Sequence, residues 1–284
     1  MKAIIPAAGM GTRFLPVTKE QPKEMLPVVN KPVIQWVVEE AVAAGVDDIL
    51  VITGRGKRAI EDHFDRSVEL EDLLERSGNS EKLREVRRIP ELARLFYVRQ
   101  GRPRGLGHAV LCGAQHTGNS PFFVMLGDVL VPKHDCLPKL NGAHVRYGGV
   151  SVMAVEPVEQ QYVSRYGVIA GTEVEPGVWK VTDLVEKPPA NEAPSNLAIF
   201  GRYLLTPKLM KILPTIDPGR GDEIQLTDAL KELLKYEDVY AVTMDEQGYD
   251  TGSVLSWLQA NVDLALESDK YGPALREWLE KELG

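Results

Sequence analysis

Residues 6–27, PAAGMGTRFLPVTKEQPKEMLP, follow directly on a short apolar run and place Gly9 and Gly11 one residue apart, with Thr12, Arg13 and Lys23 behind them. A glycine-rich turn after a strand is a common way to hold phosphate. Ala7, Ala8, Gly9 and Gly11 carry little or no side chain, so backbone N–H groups can approach a triphosphate closely. Arg13 offers a planar fork for phosphate oxygens and Lys23 a compact point charge. Two stricter phosphate grips are absent. The dinucleotide fingerprint G-x-G-x-x-G meets Phe14 where its third glycine belongs. The P-loop needs Ser or Thr after Gly-Lys, and in GRGKRA that place is taken by Arg58. A tight turn with a solvent-facing arginine has the same composition, so the loop alone leaves both readings open.

Further along, VMLGDVL (124–130) sets Asp128 among apolar residues. A carboxylate there is costly unless paired or metal-bound, and Mg²⁺ takes one or two carboxylates with phosphate oxygens and water. YDTG (249–252) supplies Asp250, a second carboxylate in what reads equally as an ordinary turn. VRQG (98–101) ends a strand with Gln100, whose amide can both donate and accept hydrogen bonds to a ligand or simply finish the strand. GLGHA (105–109) puts Gly105 and Gly107 at a helix start, where a base or ribose could lie on the backbone. VTDLVEKP (181–188) ends in Glu186 and Lys187, a surface ion pair or a carboxylate for sugar hydroxyls beside an ammonium for phosphate. YGV contributes Gly167, and SNLAIFGRY contributes Asn196 and Gly201. None of the five histidines falls in a metalloprotease or triad-like setting.

Taken in order, PAAGMGTRFLPVTKEQPKEMLPVVNKPVIQWVVEE, VRQGRPRGLGHAVLC, YGVI, VEKP, APSNLAIFGRY and GDEIQLTDA resemble the bacterial sugar-1-phosphate nucleotidylyltransferases over nearly the whole chain. PKEMLP and GLGHAVLC are similar to the UTP–glucose-1-phosphate uridylyltransferase (UDP-glucose pyrophosphorylase) branch. The resemblance implies a Mg²⁺-dependent reaction of UTP with α-D-glucose 1-phosphate to UDP-glucose and pyrophosphate, without a covalent intermediate. It implies nucleotide binding by Ala7, Ala8, Gly9, Gly11, Thr12, Arg13, Lys23, Gln100 and Gly105. Sugar phosphate would meet Gly167, Glu186, Lys187, Asn196 and Gly201, and the metal Asp128 and Asp250. Arg13, Lys23, Asp128 and Lys187 are the expected catalytic groups. The family often has Pro-Asp or Asp-Asp where this chain has Gly127-Asp128-Val129; the carboxylate itself is kept. Members are usually dimers or tetramers, and Trp257, Leu258, Trp278 and Leu279 are candidates for core or subunit contact. Rival readings are a dTTP- or CTP-using sister enzyme, a non-catalytic nucleotide- or sugar-sensing relative, and a dinucleotide-dependent oxidoreductase, which the missing third glycine disfavours.

The elements that must position these groups read as α/β. Residues 2–8, 33–45 and 47–53 form a β-α-β unit, its helix closed by Gly45; continuously apolar strands suggest a buried parallel sheet. Residues 55–94 are densely charged, with Val68, Leu70, Leu73 and Leu74 at helical spacing, and predict one or two exposed helices, either a solvated face or a subunit contact. Strands are expected at 95–100, 121–131, 149–158, 166–171, 178–188, 196–206 and 239–245. Helices are expected at 107–115, at 222–237 with Asp222 or Thr227 as cap, and through the tail. The expected fold is a Rossmann-like, mostly parallel mixed sheet flanked by helices, with ligands at the carboxyl ends of the strands. One domain should cover 1–284: 1–135 mainly for nucleotide, 136–252 mainly for sugar phosphate, and 253–284 as C-terminal helices.

The bulk numbers are consistent. The chain has 284 residues and a formal net charge of −8, which argues against nucleic acid as a main partner. Any phosphate site must therefore be built locally. Two cysteines, Cys112 and Cys136, make no disulfide framework and no zinc cluster. The first apolar run is too short for a signal peptide and no later one reaches a membrane span, so a cytoplasmic protein is expected.

Overall fold

The computed structural model describes residues 1–245 and 248–283. Strand β1 (Lys2–Pro6) leads through the glycine loop to a two-strand hairpin, β2 (Pro27–Val28) and β3 (Lys31–Pro32), then to helix α1 (Val33–Ala43) and β4 (Asp48–Thr53). Gly45 ends the helix in the left-handed region (φ 77°), as a C-terminal glycine should. The charged stretch forms three short helices, α2 (Arg58–His63), α3 (Val68–Arg76) and α4 (Ser80–Arg88). Val68, Leu70 and Leu73 remain exposed on it. Then follow β5 (Arg94–Arg99), α5 (Leu106–Leu111), α6 (Ala114–Thr117), β6 (Phe122–Met125), β7 (Val129–Leu130), α7 (Cys136–Arg146) and β8 (Ser151–Pro157). The remainder comprises β9 (Gly167–Glu175), β10 (Val178–Glu186), β11 (Leu197–Leu205), α8 (Lys208–Ile212), α9 (Leu226–Leu233), β12 (Val239–Thr243), β13 (Tyr249–Asp250), α10 (Val254–Glu267) and α11 (Gly272–Leu283).

The main sheet has nine strands in the order β5-β4-β1-β6-β11-β8-β12-β10-β9. Pairings β5–β4, β4–β1, β1–β6 and β8–β12 are parallel. Only β11 and β10 run against the rest, each antiparallel to both neighbours. The sheet is therefore mostly parallel in strand direction, with two reversed strands. Both faces are buried, which is why the middles of β1 (Ala3–Ile5) and β4 (Ile49–Ile52) are continuously apolar rather than alternating. Ile4, Leu50 and Ile52 pack on the face covered by α5, α8 and α9. Ala3, Ile5, Ile49 and Val51 pack on the face covered by α1 and α7. A third cluster, Val28, Val33, Leu130, Tyr249, Ala260 and Leu264, fastens α10 to the hairpin and to β7–β13.

Besides the charged stretch, which holds three helices where one or two were expected, three expectations change and one helix is added. The strand expected over 121–131 breaks at 126–128: the Val129 N–H donates to the Leu126 carbonyl at 3.2 Å, and β7 leaves the main sheet to pair with β13. The helix expected over 107–115 is two, parted at Gly113, where a Cβ would lie 2.4 Å from Ile4 Cδ1, so the chain must approach β1 bare. Helix α9 begins later than expected, and the side chain of its N-cap residue, Gln225, does not cap it but donates to Glu223 at 3.2 Å; Thr227 donates to Glu186, and Asp222 sits in a preceding turn. Helix α7 has no counterpart in the sequence reading, because Pro138 and Gly142 blur its pattern; Pro138 is tolerated in the first turn, where its missing N–H has no helical partner to lose. In the tail, Trp257 meets Phe14 edge-on and donates to the Pro27 carbonyl at 2.9 Å, while Leu258 and Trp278 are exposed. Among the described residues no helix is long and apolar enough to cross a membrane.

Candidate active site

Beyond the carboxyl ends of β1, β4 and β6 lies a cleft of about 440 Å³. Its floor is the glycine loop. Ala7 is buried beneath it and donates its N–H to Ile52 at 2.8 Å, continuing the sheet for one residue. Gly11 holds φ 64°, and a Cβ there would meet Lys23 Cβ and Thr18 at 3.2 Å, so both conformation and space call for glycine. Lys23 folds across this bare stretch and pairs its ammonium with Asp128. Of the expected residues, Ala8, Gly9, Gly11, Thr12, Arg13, Lys23, Gln100, Gly105, Asp128, Lys187, Gly201 and Asp250 line the cleft.

Gln100 is buried and its amide nitrogen donates to the Gly105 carbonyl at 3.0 Å and to His108 Nδ1 at 3.0 Å. The carbonyl of Gly105 can only accept, which fixes the orientation of the amide. Burial, then the charge of Arg104, lower the His108 pKa, which favours the neutral ring that an accepting Nδ1 requires. Both amide hydrogens are thus used, and the Gln100 carbonyl oxygen is left to accept from a ligand.

Asp128 and Asp250 arrive from distant parts of the chain because β7 and β13 pair, with Asp250 opposite Val129. The Asp128 carbonyl accepts from the Thr251 N–H at 2.9 Å and hydroxyl at 2.7 Å. Burial would raise the Asp128 pKa, but the Lys23 ammonium beside it outweighs burial and holds it low. Burial would lower Lys23; Asp128 and Glu24 outweigh it and hold the ammonium protonated. Asp250 is raised, by burial and then by the negative charge of Asp128. Glu156, at the end of β8, is pushed up to about 7 by burial and by Asp250. Arg13 Nη1 stands 3.9 Å from Asp250. The negative charge gathered here calls for a further cation.

The residues present fit one. A Cβ built on Gly252 would lie 2.8 Å from Asp128 Oδ2 and 2.9 Å from Asp250 Oδ1. The two carboxylates therefore approach each other beside Gly252, whose N–H donates to Asp250 Oδ1 at 3.0 Å, and a side chain at 252 would crowd both. No group of three or more His, Cys, Asp or Glu is poised for a metal among the described residues. A cation here would complete its shell from a ligand and water, the habit of Mg²⁺.

On the far side, Lys187 follows β10 with φ 46°, a conformation that costs energy and tends to occur at functional positions. Its N–H donates to Tyr166 at 3.0 Å, and its ammonium lies 3.0 Å from Glu186. Glu186 and Gly167 stand behind it rather than in the cleft wall. The Glu186 carboxylate accepts from Thr227 at 2.7 Å, and a Cβ on Gly167 would come within 2.9 Å of that hydroxyl. Asn196 is not brought to the site: it is exposed and donates to the Val158 carbonyl at 3.3 Å. Gly201 lies on the wall, where β11 shifts register (φ 66°).

Sequence reasoning did not single out Glu24, Arg165, Tyr166 or Glu223, which also line the cleft. Glu24 was visible only as the neighbour of Lys23 in PKEMLP; it is buried and paired with Lys57 at 2.7 Å. Arg165 and Tyr166 precede Gly167, and no spacing rule distinguishes them from loop residues.

Known proteins resemble this chain over nearly its whole length. A UTP–glucose-1-phosphate uridylyltransferase of Bacillus subtilis is 48% identical over 280 residues, 98% of this chain and 94% of that protein. One of Staphylococcus haemolyticus is 47% identical over 283 residues, 100% and 98% of the two chains. A UTP-bound enzyme from Acinetobacter baumannii superposes with TM-score 0.89 at 39% identity, over 98% of both chains. A UDP-glucose pyrophosphorylase complexed with UDP-glucose gives TM-score 0.86 at 43% identity, over 94% of this chain and 99% of that one. The nucleotidyl transferase family model matches residues 2–267. With the family model spanning most of its length and relatives nearly half identical over almost all of it, the chain belongs to the nucleotidyl transferase family.

Proposed function

We propose that this protein transfers the uridylyl group of UTP to α-D-glucose 1-phosphate, releasing pyrophosphate and forming UDP-glucose. The observation that carries the reading is the convergence in one cleft of a bare phosphate-binding loop, two carboxylates and the cations Arg13, Lys23 and Lys187. An oxygen of the sugar phosphate attacks the α-phosphorus of UTP in line, and the bond from that phosphorus to the β-phosphate oxygen breaks. The attacking oxygen is already anionic, so no side chain has to remove a proton. The obstacle is repulsion between two polyanions, and the protein answers with position and fixed charge. Backbone N–H groups of the glycine loop and Arg13 hold the triphosphate, Lys23 stands over the phosphates, and Lys187 holds the sugar phosphate with Glu186 braced behind it. Asp128 and Asp250 would hold Mg²⁺, which when bound supplies positive charge to the phosphate oxygens.

Gln100 favours the base. Its free carbonyl oxygen accepts from the N3–H of uracil or thymine, whereas cytosine presents an acceptor there. The deciding experiment supplies Mg²⁺, glucose 1-phosphate and each nucleoside triphosphate in turn and measures pyrophosphate. Release chiefly with UTP is expected. Release with none overturns the enzyme reading, and release chiefly with dTTP assigns a thymidylyl transfer.

A further inference from the structure

We propose that Arg202, held by Glu40, is a positioning residue for the carboxylate pair, clamping from behind the turn that carries Asp128. This rests on the reading of Asp128 and Asp250 as holders of a divalent cation. Arg202 on β11 and Glu40 on α1 are wholly buried, 162 positions apart in the chain. The guanidinium meets the Glu40 carboxylate through Nε at 3.0 and 3.1 Å and through Nη2 at 2.7 Å. Its other donors go to backbone. Nη2 reaches the Val129 carbonyl at 2.7 Å, and Nη1 reaches the carbonyls of Leu126 at 3.3 Å and Gly201 at 3.1 Å. All five guanidinium N–H groups thus have acceptors.

Leu126 and Val129 are the first and last residues of the turn in which β6 breaks, and Asp128 is its third. One rigid fork therefore spans both ends of the segment that aims Asp128. The register shift of β11 at Gly201 serves the same contact: a Cβ there would lie 3.0 Å from Leu126 and from Val129 Cγ2. The clamp also reaches the second carboxylate, because Val129 pairs with Asp250 and the Asp128 carbonyl takes two bonds from Thr251. A buried ion pair is a poor source of stability compared with apolar side chains of similar volume. Here its geometry provides what apolar side chains lack, a planar donor set that fixes two carbonyls at a set spacing.

The test separates positioning from folding. The double variant Glu40→Leu/Arg202→Met removes both charges and fills the space. Arg202→Lys keeps a charge opposite Glu40 but loses the planar fork. Mn²⁺ binding in the presence of UTP is followed by electron paramagnetic resonance far below the unfolding temperature, with Asp128→Asn as reference. Loss of a group that orients a metal ligand typically lowers metal affinity by about 10–100-fold, and that loss is expected in both folded variants. Wild-type Mn²⁺ affinity in a folded double variant overturns the proposal; should that variant not fold, wild-type affinity in Arg202→Lys does so. Unchanged affinity in Asp128→Asn overturns the cation reading itself, and the clamp's purpose with it.

Discussion

Replacing Gly252 by alanine adds a single methyl group beside both Asp128 and Asp250. Gly252 is not among the residues with positive φ, so its backbone accepts a side chain without strain. The obstacle is local: the new carbon would stand 2.8 Å from Asp128 Oδ2 and 2.9 Å from Asp250 Oδ1, where ordinary contact begins at 3.4 Å. Each carboxylate must retreat by about 0.5 Å, against a tolerance of about 0.2 Å in metal–ligand distances. The expected consequence is a rise of about 10–100-fold in the Mg²⁺ concentration needed for half-maximal rate. The assay is initial pyrophosphate release over a Mg²⁺ series at saturating UTP and glucose 1-phosphate, with circular dichroism to confirm the fold. A Mg²⁺ dependence indistinguishable from that of the parent protein would refute the placement of the cation between these carboxylates.

Three other outcomes follow from the same geometry. Gln100→Leu removes the acceptor for a base N3–H, so the preference for UTP over CTP in kcat/KM should fall at least tenfold, about 1.4 kcal/mol; an unchanged ratio removes Gln100 from base reading. Lys57→Met strands the buried Glu24 carboxylate without its 2.7 Å partner, and breaking such a pair costs about 3–5 kcal/mol, readable by urea unfolding; a change under about 1 kcal/mol contradicts it. Glu71 accepts from Arg66 at 2.6 and 3.1 Å and from Arg87 at 3.0 Å, which lowers its pKa from 4.5 to about 2. A pKa lowered on folding means stability present above about pH 4.5 and lost as pH falls toward 2. Carboxyl NMR should show Glu71 titrating near 2 in the parent, and the acid-dependent loosening of α3 and α4 should be absent in Glu71→Gln; titration near 4.5 refutes the pairing.

The sequence by itself determined the course of the first strands and marked those candidates for the site that local chemistry can mark. A loop of glycine and alanine after an apolar strand exposes backbone N–H groups, so Gly9, Gly11, Arg13 and Lys23 stood out as candidates beside the reading of a plain turn. An aspartate between apolar residues marks itself, and Asp128 was legible for that reason. The β-α-β start was legible because a sheet buried on both faces needs strands whose middles are apolar on both sides. Asp250, Glu186 and Lys187 came from resemblance, since their spacing suits an ordinary turn or ion pair equally well.

Tertiary structure alone decided what joins to what. The Lys23–Asp128 pair spans 105 positions, and the approach of Asp128 to Asp250 beside Gly252 depends on β7 leaving the sheet to meet β13. Asn196, well placed in sequence, faces solvent because its bond goes to Val158. Thr227, a reasonable helix cap by type, is drawn away by Glu186. Arg202 looks like a charged residue in an apolar strand, and only the packing of α1 against β11 brings Glu40 to it and turns both toward the Asp128 turn. The physical reason is the same throughout. Backbone conformation and burial preference are encoded within a few neighbouring residues, whereas ion pairs and convergent carboxylates are made by side chains whose partners are chosen by the course of the chain in space.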